Sequence, residues 1–350
     1  MNTIDKSIKE NIDWGNLGFD YKPTEYRFVA TYKNGAWSEG ELITNSNVQV
    51  HEGSPALHYG QQCFEGMKAQ TAKDGRVLLF RPDLNAERLR QSCERLSMVE
   101  LPNELFNRGV KEAVRANYRF IPPYGSGAAL YIRPLLLGTG QNLGLRPATE
   151  YEFRVFVSPV GPYYKGTGLS LIKLAVTDYD RAAPSGTGAV KVGGNYAGGF
   201  IATKIAKELG ANEALYLDSA TRTYLEEAGS ANIIISLSDD RLITPLSPAI
   251  LPSITRRSVM QIAKDELGMK TEERPIHLIN EFSEFEEMGA CGTAAVISPV
   301  QSILYKNEWM HMKNSKEGVG PVMQNLYNSL TQIQKGERED SFGWTVEVEI

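Results

Sequence analysis

Lys191 lies in the run Lys191-Val-Gly-Gly-Asn195-Tyr196, directly ahead of a helical pattern. A lysine beside two glycines and a tyrosine has the parts for covalent chemistry with a carbonyl cofactor, provided that its pocket lowers the amine's pKa. Gly193 and Gly194 let the backbone approach a flat ring, and Tyr196 offers a hydroxyl to an oxygen on that ring. A lysine in a glycine-rich turn is far more often a solvated surface residue. The chemical reading therefore depends on the company Lys191 keeps.

Four segments make joint sense if the cofactor carries a phosphate and a pyridine ring. Ser253-Ile254-Thr255 opens a helical pattern, where backbone N–H groups and the helix dipole favour an anion; an ordinary cap by Ser253 or Thr255 is the plainer reading. In Gly289-Ala-Cys291-Gly292-Thr293-Ala294-Ala295, the N–H groups of Thr293 and Ala294 can nest a carboxylate, or the run is simply a tight turn. Arg88, on a predicted helix, either pairs with a phosphate or is exposed. In Glu226-Glu227, one carboxylate can keep a pyridine nitrogen protonated, although neighbouring glutamates are usually a solvated turn.

The elements that must position these residues alternate between strand and helix patterns. Tyr151–Val157, Ala129–Arg133 and Ile233–Ser236 read as strands. Leu89, Cys93 and Leu96 mark a helix that starts at Pro82-Asp83. Ile201, Ile205 and Leu209 lie on one helical face that Gly210 ends, and Val259, Ile262, Ala263 and Leu267 repeat the pattern before Gly268. Gly and Pro crowd the stretch from Val160 to Gly168, and residues 178–188 are also loop-like, so a linker is expected near 160–188. The expected organisation is a smaller α/β domain over 1–165 and a larger one over 166–350 that carries the lysine.

Composition narrows the class. The 350 residues carry a net charge of −5 with no basic cluster, which argues against a nucleic-acid partner. No apolar run is long enough for a membrane span, and Met1-Asn-Thr-Ile-Asp5 has no signal-like apolar core, so a cytoplasmic protein is expected. Cys63, Cys93 and Cys291 form no CxxC, and the four histidines show no ligand spacing, so no metal is expected. Gly138 to Gly144 is one residue too long for G-x-G-x-x-G, and neither a Gly-Lys pair nor G-x-S-x-G occurs.

Taken in order, seven blocks resemble the branched-chain amino-acid aminotransferases, within the D-alanine-aminotransferase-like (fold type IV) pyridoxal-phosphate enzymes. They are His58–Lys68, Phe80–Arg88, Tyr131–Pro134, Lys191–Tyr196, Leu225–Glu227, Leu251–Arg256 and Gly292–Ala295. Phe64-Glu-Gly-Met-Lys68 and Gly193-Gly-Asn-Tyr196 are the most specific of them.

The resemblance implies an α/β fold of two domains with pyridoxal 5'-phosphate between them. It implies that Lys191 forms the Schiff base and that Glu227, rather than Glu226, meets the pyridine nitrogen. Tyr196 matches the residue on the phenolic oxygen. Arg88, Ile254, Thr255 and Thr293 match the phosphate cup, and Arg181 matches a further arginine near the cofactor. Tyr59, Phe64, Tyr131, Arg133 and Tyr163 match the substrate pocket, with the Thr293–Ala294 backbone on the α-carboxylate.

The activity implied is ping-pong transfer of the amino group of leucine, isoleucine or valine to 2-oxoglutarate, by a homodimer or higher oligomer. Mammalian members carry Cys-x-x-Cys where this chain has Ala295 and Ser298, so no thiol switch is expected there. Three alternatives stay open: a D-amino-acid aminotransferase, an aminodeoxychorismate lyase, or a non-catalytic carrier of the cofactor.

Overall fold

The computed structural model describes residues 9–162, 169–315 and 318–350. The chain forms two compact units: Met1–Tyr163 with Lys191–Gly193 and Gln332–Ile350, and Tyr164–Val190 with Gly194–Thr331. The expected division at 165 gave Lys191 and the C-terminal segment to the second half. The contacts give both to the first unit, because Lys191 pairs with the edge of Gln62–Phe64 and the strand Thr345–Val348 pairs with Val77–Phe80.

The first unit is a nine-stranded antiparallel sheet. Its main path runs Thr345–Val348, Val77–Phe80, Met67–Thr71, Ala129–Gly138, Tyr151–Val160, Arg27–Lys33, Ala36–Trp37. The two longest strands exceed the expected bounds because they pair along their full length, from Ala129↔Val160 to Gly138↔Tyr151. Tyr151, Phe153, Val155 and Val157 are buried at alternate positions, with Phe28 and Phe106 against Phe153. The helix Pro82–Arg95 begins as expected, with proline in its first turn and Asp83 complementing the dipole.

In the second unit, six strands close on themselves. Leu225–Ala228, Glu213–Leu217, Ile172–Val176, Val296–Tyr305, Phe285–Gly292 and Ala231–Leu237 pair in turn, and the last pairs back to the first. Closure leaves these six without an open edge, and Arg241–Pro245 and Lys270–Arg274 extend the sheet from Ala231–Leu237. Ile233 and Ile235 share one apolar cluster with Leu174, Leu215, Met288 and Val300.

The helix Phe200–Glu208 packs on this sheet, but not by the expected face. Ala202 and Ala206 are buried against Ala175, Ala214 and Tyr216, while Ile201 and Leu209 are exposed. Alanines let the helix lie close to the strands, and that closeness outweighs burying the larger side chains. The helix Ile254–Asp265 buries Val259, Ile262 and Ala263, but stops before Leu267, which is partly exposed. Among the described residues, no helix is long and apolar enough to cross a membrane.

Candidate active site

Lys191 is held by its main chain. Its carbonyl accepts from the N–H of Phe64 (3.1 Å), and its N–H donates to Ser92 Oγ (3.1 Å). A bridge between Cys63 and Val192 continues the pairing. A Cβ on Gly193 would overlap the Gln62 side chain, so the glycine at this position permits the close approach of lysine segment and strand.

The lysine amine lies 4.8 Å from the Phe64 ring centroid, and the Arg133 guanidinium carbon lies 4.8 Å from the same ring. Burial first, then the positive charges of Arg88 and Arg133, bring the lysine down to about 8, while Glu65 and Tyr131 oppose them. Arg133 Nη2 donates to the Tyr131 hydroxyl at 3.3 Å. Its buried Nε has no hydrogen-bond partner among the described residues, a donor suited to an incoming anion.

Arg88 is buried rather than exposed. Its Nε and Nη2 donate to the two oxygens of Glu65, at 2.7 and 2.8 Å. Sequence reasoning missed Glu65, Asn85 and Ser92, although Asn85 and Ser92 lie with Arg88 at i, i+3 and i+7, among the helix's buried residues. Polar residues on that apolar face were the available signal.

In the second unit, Glu227 is buried and ion-paired with Arg181, Nε to Oε1 at 2.6 Å. Asn232 Nδ2 donates to its other oxygen at 2.8 Å, and the Leu251 N–H to Oε1 at 3.3 Å. Arg181 is tied by Nη2 to the carbonyls of Gly188 and Ala249. Glu226 is held differently: its Oε1 accepts from Ser247 Oγ at 2.9 Å, and burial raises its carboxyl. Buried Asn195 ties together the loop ahead of the lysine, donating to Thr187 O and Val190 O and accepting from Thr187 Oγ1.

Ser253 caps the helix Ile254–Asp265 by accepting from the Arg256 N–H. No hydrogen bond from the N–H groups of Ile254 and Thr255 occurs among the described residues, so the Ser253 cap leaves two donors of that turn available to an anion. Thr293 and Ala294 form the turn between Phe285–Gly292 and Val296–Tyr305; Val296 leaves it at φ +65, a conformation strained for a β-branched residue. Tyr196 is partly buried on the short helix Gly193–Ala197.

The pocket residues named from sequence do not all gather. Phe64, Tyr131 and Arg133 surround Lys191, but Tyr59 is exposed and donates to Leu143 O (2.7 Å), beside a cavity lined by His51, His58, Asn142 and Arg146. Tyr163 lies outside the described residues. Each unit holds groups that suit a part of pyridoxal phosphate: in the first, an amine whose pKa is lowered to about 8, and in the second, a buried carboxylate and helix-terminal N–H groups.

Residues 62–303 match the model of amino-transferase class IV. The chain belongs to that family. It is 51% identical over 341 residues to a branched-chain-amino-acid aminotransferase of Helicobacter pylori, covering 97% of this chain and 98% of that one. A Haemophilus influenzae enzyme of the same name is 51% identical over 345 residues, covering 97% and 100%. Among solved structures, the Escherichia coli branched-chain amino acid aminotransferase superposes with TM-score 0.76 at 27% identity, over 93% of this chain and 100% of that one. The branched-chain aminotransferase of the archaeon Thermoproteus uzoniensis, solved with norvaline, gives TM-score 0.77 at 26% identity, covering 93% and 100%. The chain is a pyridoxal-phosphate-dependent transaminase of fold type IV.

Proposed function

We propose that the protein transfers the amino group of leucine, isoleucine or valine to 2-oxoglutarate, with Lys191 joining the cofactor and moving the Cα proton. The carrying observation is the end-to-end similarity to the Helicobacter and Haemophilus enzymes, whose names state this substrate class. Pyridoxal phosphate, when bound, supplies a ring that accepts the negative charge left as the Cα–H bond ionises.

The chain's own groups do the rest. At pH 7 an amine of pKa about 8 is ~9% neutral, against ~0.03% at 10.5, a gain of more than about a hundredfold in available base. Glu227, kept in place by Arg181 and Asn232, holds a proton on the ring nitrogen. Tyr196 meets the phenolic oxygen. Arg88, the N–H groups of Ile254 and Thr255, and Thr293 receive the phosphate. The Thr293–Ala294 turn receives the α-carboxylate.

Substrate selection falls to Phe64, Tyr131 and Arg133, with Tyr59 and Tyr163 assigned by resemblance. Aromatic faces suit a branched side chain, and Arg133 suits the distal carboxylate of glutamate. Tyr59's exposure beside Leu143 and Leu145, which are 93% and 86% exposed, supports a homodimer in which this surface is covered. A cytoplasmic setting accords with three free buried cysteines.

The test is purified protein with L-leucine and 2-oxoglutarate, following glutamate formation and the visible cofactor band. Turnover with D-alanine but not L-leucine would replace the substrate assignment.

A further inference from the structure

Glu65 stands in the middle of the most specific sequence block, yet none of the roles above uses it. Its setting is unusual. The strands Gln62–Phe64 and Met67–Thr71 both pair with Ala129–Gly138, in register at Phe64↔Leu135 and Met67↔Ile132. Between them, opposite Pro134, the ladder is interrupted, since proline has no N–H to give. The Glu65 N–H donates to the Pro134 carbonyl at 2.8 Å, and its side chain is completely buried. A Cβ on Gly66 would strike the Tyr131 hydroxyl, so the chain crosses here close to the residues around the lysine.

A buried carboxylate needs donors, and Glu65 has four. Arg88 Nε reaches Oε1 at 2.7 Å; Arg88 Nη2, Asn85 Nδ2 and the Gly66 N–H reach Oε2 at 2.8, 2.7 and 3.2 Å. Burial alone would raise its carboxyl, but Arg88, Lys191 and Asn85 outweigh that and hold it below the usual carboxylate range.

The connections of this pair lead back to the lysine from both sides. Phe64, next to Glu65, donates its N–H to the Lys191 carbonyl. Arg88 accepts at its own carbonyl from Ser92 Oγ (2.9 Å), and that Oγ accepts the Lys191 N–H. Glu65, Arg88, Ser92, Lys191 and Phe64 thus form a closed circuit of chain and hydrogen bonds.

We propose that Glu65 is a positioning residue for the reaction: its two-point pair with Arg88 orients the guanidinium and keeps both main-chain anchors of Lys191 in register. This rests on the assignment of Lys191 above. A second consequence follows from charge. Arg88 and Glu65 act on the lysine amine in opposite senses, so Glu65 limits how far Arg88 depresses it.

The test uses the full chain. In the apoprotein, the pH midpoint for Lys191 acylation is read by competitive labelling and peptide mass spectrometry. In the holoprotein, pyridoxal-phosphate affinity is read by titration. Glu65→Gln should lower the Lys191 midpoint by about one pH unit, because an unopposed arginine charge remains, and weaken cofactor affinity roughly tenfold, because the guanidinium loses the two-point pair that orients it. Glu65→Asp keeps the charge but shortens the reach; it should restore the midpoint yet leave affinity weakened several-fold.

A folded Glu65→Gln protein with wild-type midpoint and affinity would overturn the proposal, whatever its melting temperature. If that variant does not fold, Glu65→Asp decides: wild-type affinity overturns the proposal, and a several-fold loss with melting temperature within a few degrees supports it. Absence of leucine turnover in the wild-type protein would sink the functional assignment instead, and acylation of the apoprotein would still report on Glu65.

Discussion

Each unit buries an arginine–glutamate pair among the candidate site residues; the two carboxylates are held alike, each by an arginine, an asparagine and a main-chain N–H, and the two arginines are held differently. In the first, Arg88 gives two nitrogens to Glu65, which also takes donors from Asn85 and the Gly66 N–H. In the second, Arg181 turns its Nε to Glu227 and is itself tied by Nη2 to the carbonyls of Gly188 and Ala249. A buried ion pair contributes little net stability, and breaking one partner is costly, so its presence calls for a reason beyond stability. The contrast suggests one. Under the roles proposed above, the two arginines serve different ends: Glu65 orients Arg88 for a phosphate, whereas Arg181, itself fixed to two carbonyls, orients Glu227 for a ring nitrogen.

The largest effect is expected at Lys191, the residue whose proposed chemistry gives both pairs their roles. Lys191→Ala should lower turnover by ~10³-fold or more while the protein stays folded. Borohydride reduction of the wild-type holoprotein should place the pyridoxyl group on Lys191. A label on Lys68 or Lys173 would remove the basis for ranking either pair.

Next in size is the second pair. Glu227→Gln should reduce kcat roughly a hundredfold or more with cofactor affinity changed only a few-fold, since the anchored Arg181 remains. Glu226→Gln, which alters a neighbour capped by Ser247, should stay within about twofold of wild type. Equal losses would show that Glu227 has no role that its neighbour Glu226 lacks.

Arg133 sharpens the contrast from a third position, as an arginine stacked on rings rather than paired with a glutamate. Arg133→Met should reduce kcat/KM for the 2-oxoglutarate half-reaction roughly a hundredfold, and that for leucine several-fold at most. Single-turnover measurement of both half-reactions checks it. Matched losses would assign Arg133 to pocket shape or to the α-carboxylate.

The smallest effect expected is on the thiols. Cys63 and Cys93 lie thirty residues apart in sequence, yet their sulfurs approach to 3.8 Å. All three thiols are buried; the contact with Cys93 and burial push Cys63 well up, and burial pushes Cys291 up to about 12. Ellman's reagent should find none of them in the native protein and all three after denaturation. Mild peroxide followed by a thiol reductant should leave activity unchanged; a reversible loss would mean that Cys63 and Cys93 oxidise in place.

What was legible in the sequence was local. The helix start at Pro82, the Ser253 cap and the short helix that follows Lys191 are each signalled within a few residues. The contact of Cys63 with Cys93 and the pairing of Glu65 with Arg88 are not, because nothing in either short segment records which distant segment it will face. The burial of Ala202 and Ala206 in preference to Ile201 and Leu209 misleads for a related reason. Hydropathy ranks side chains by size and apolarity, whereas the strands beneath that helix select for closeness. Tyr59 shows the same limit: its block matches the family, but its surroundings in this chain are His51, His58 and Arg146.

The strand Thr345–Val348 has a consequence for how the molecule is made. It supplies the outer strand beside Val77–Phe80, while Trp344 packs edge-on against Phe80 and beneath Arg81. On a ribosome, the sheet begun by the first segments must wait, with one margin unpaired, until all of the intervening unit has emerged. Such a margin, carrying Val77, Leu78 and Leu79, is a template for any other extended chain. A version shortened by its last six residues would leave that template permanently open, and self-association through Val77–Phe80 is the failure to look for.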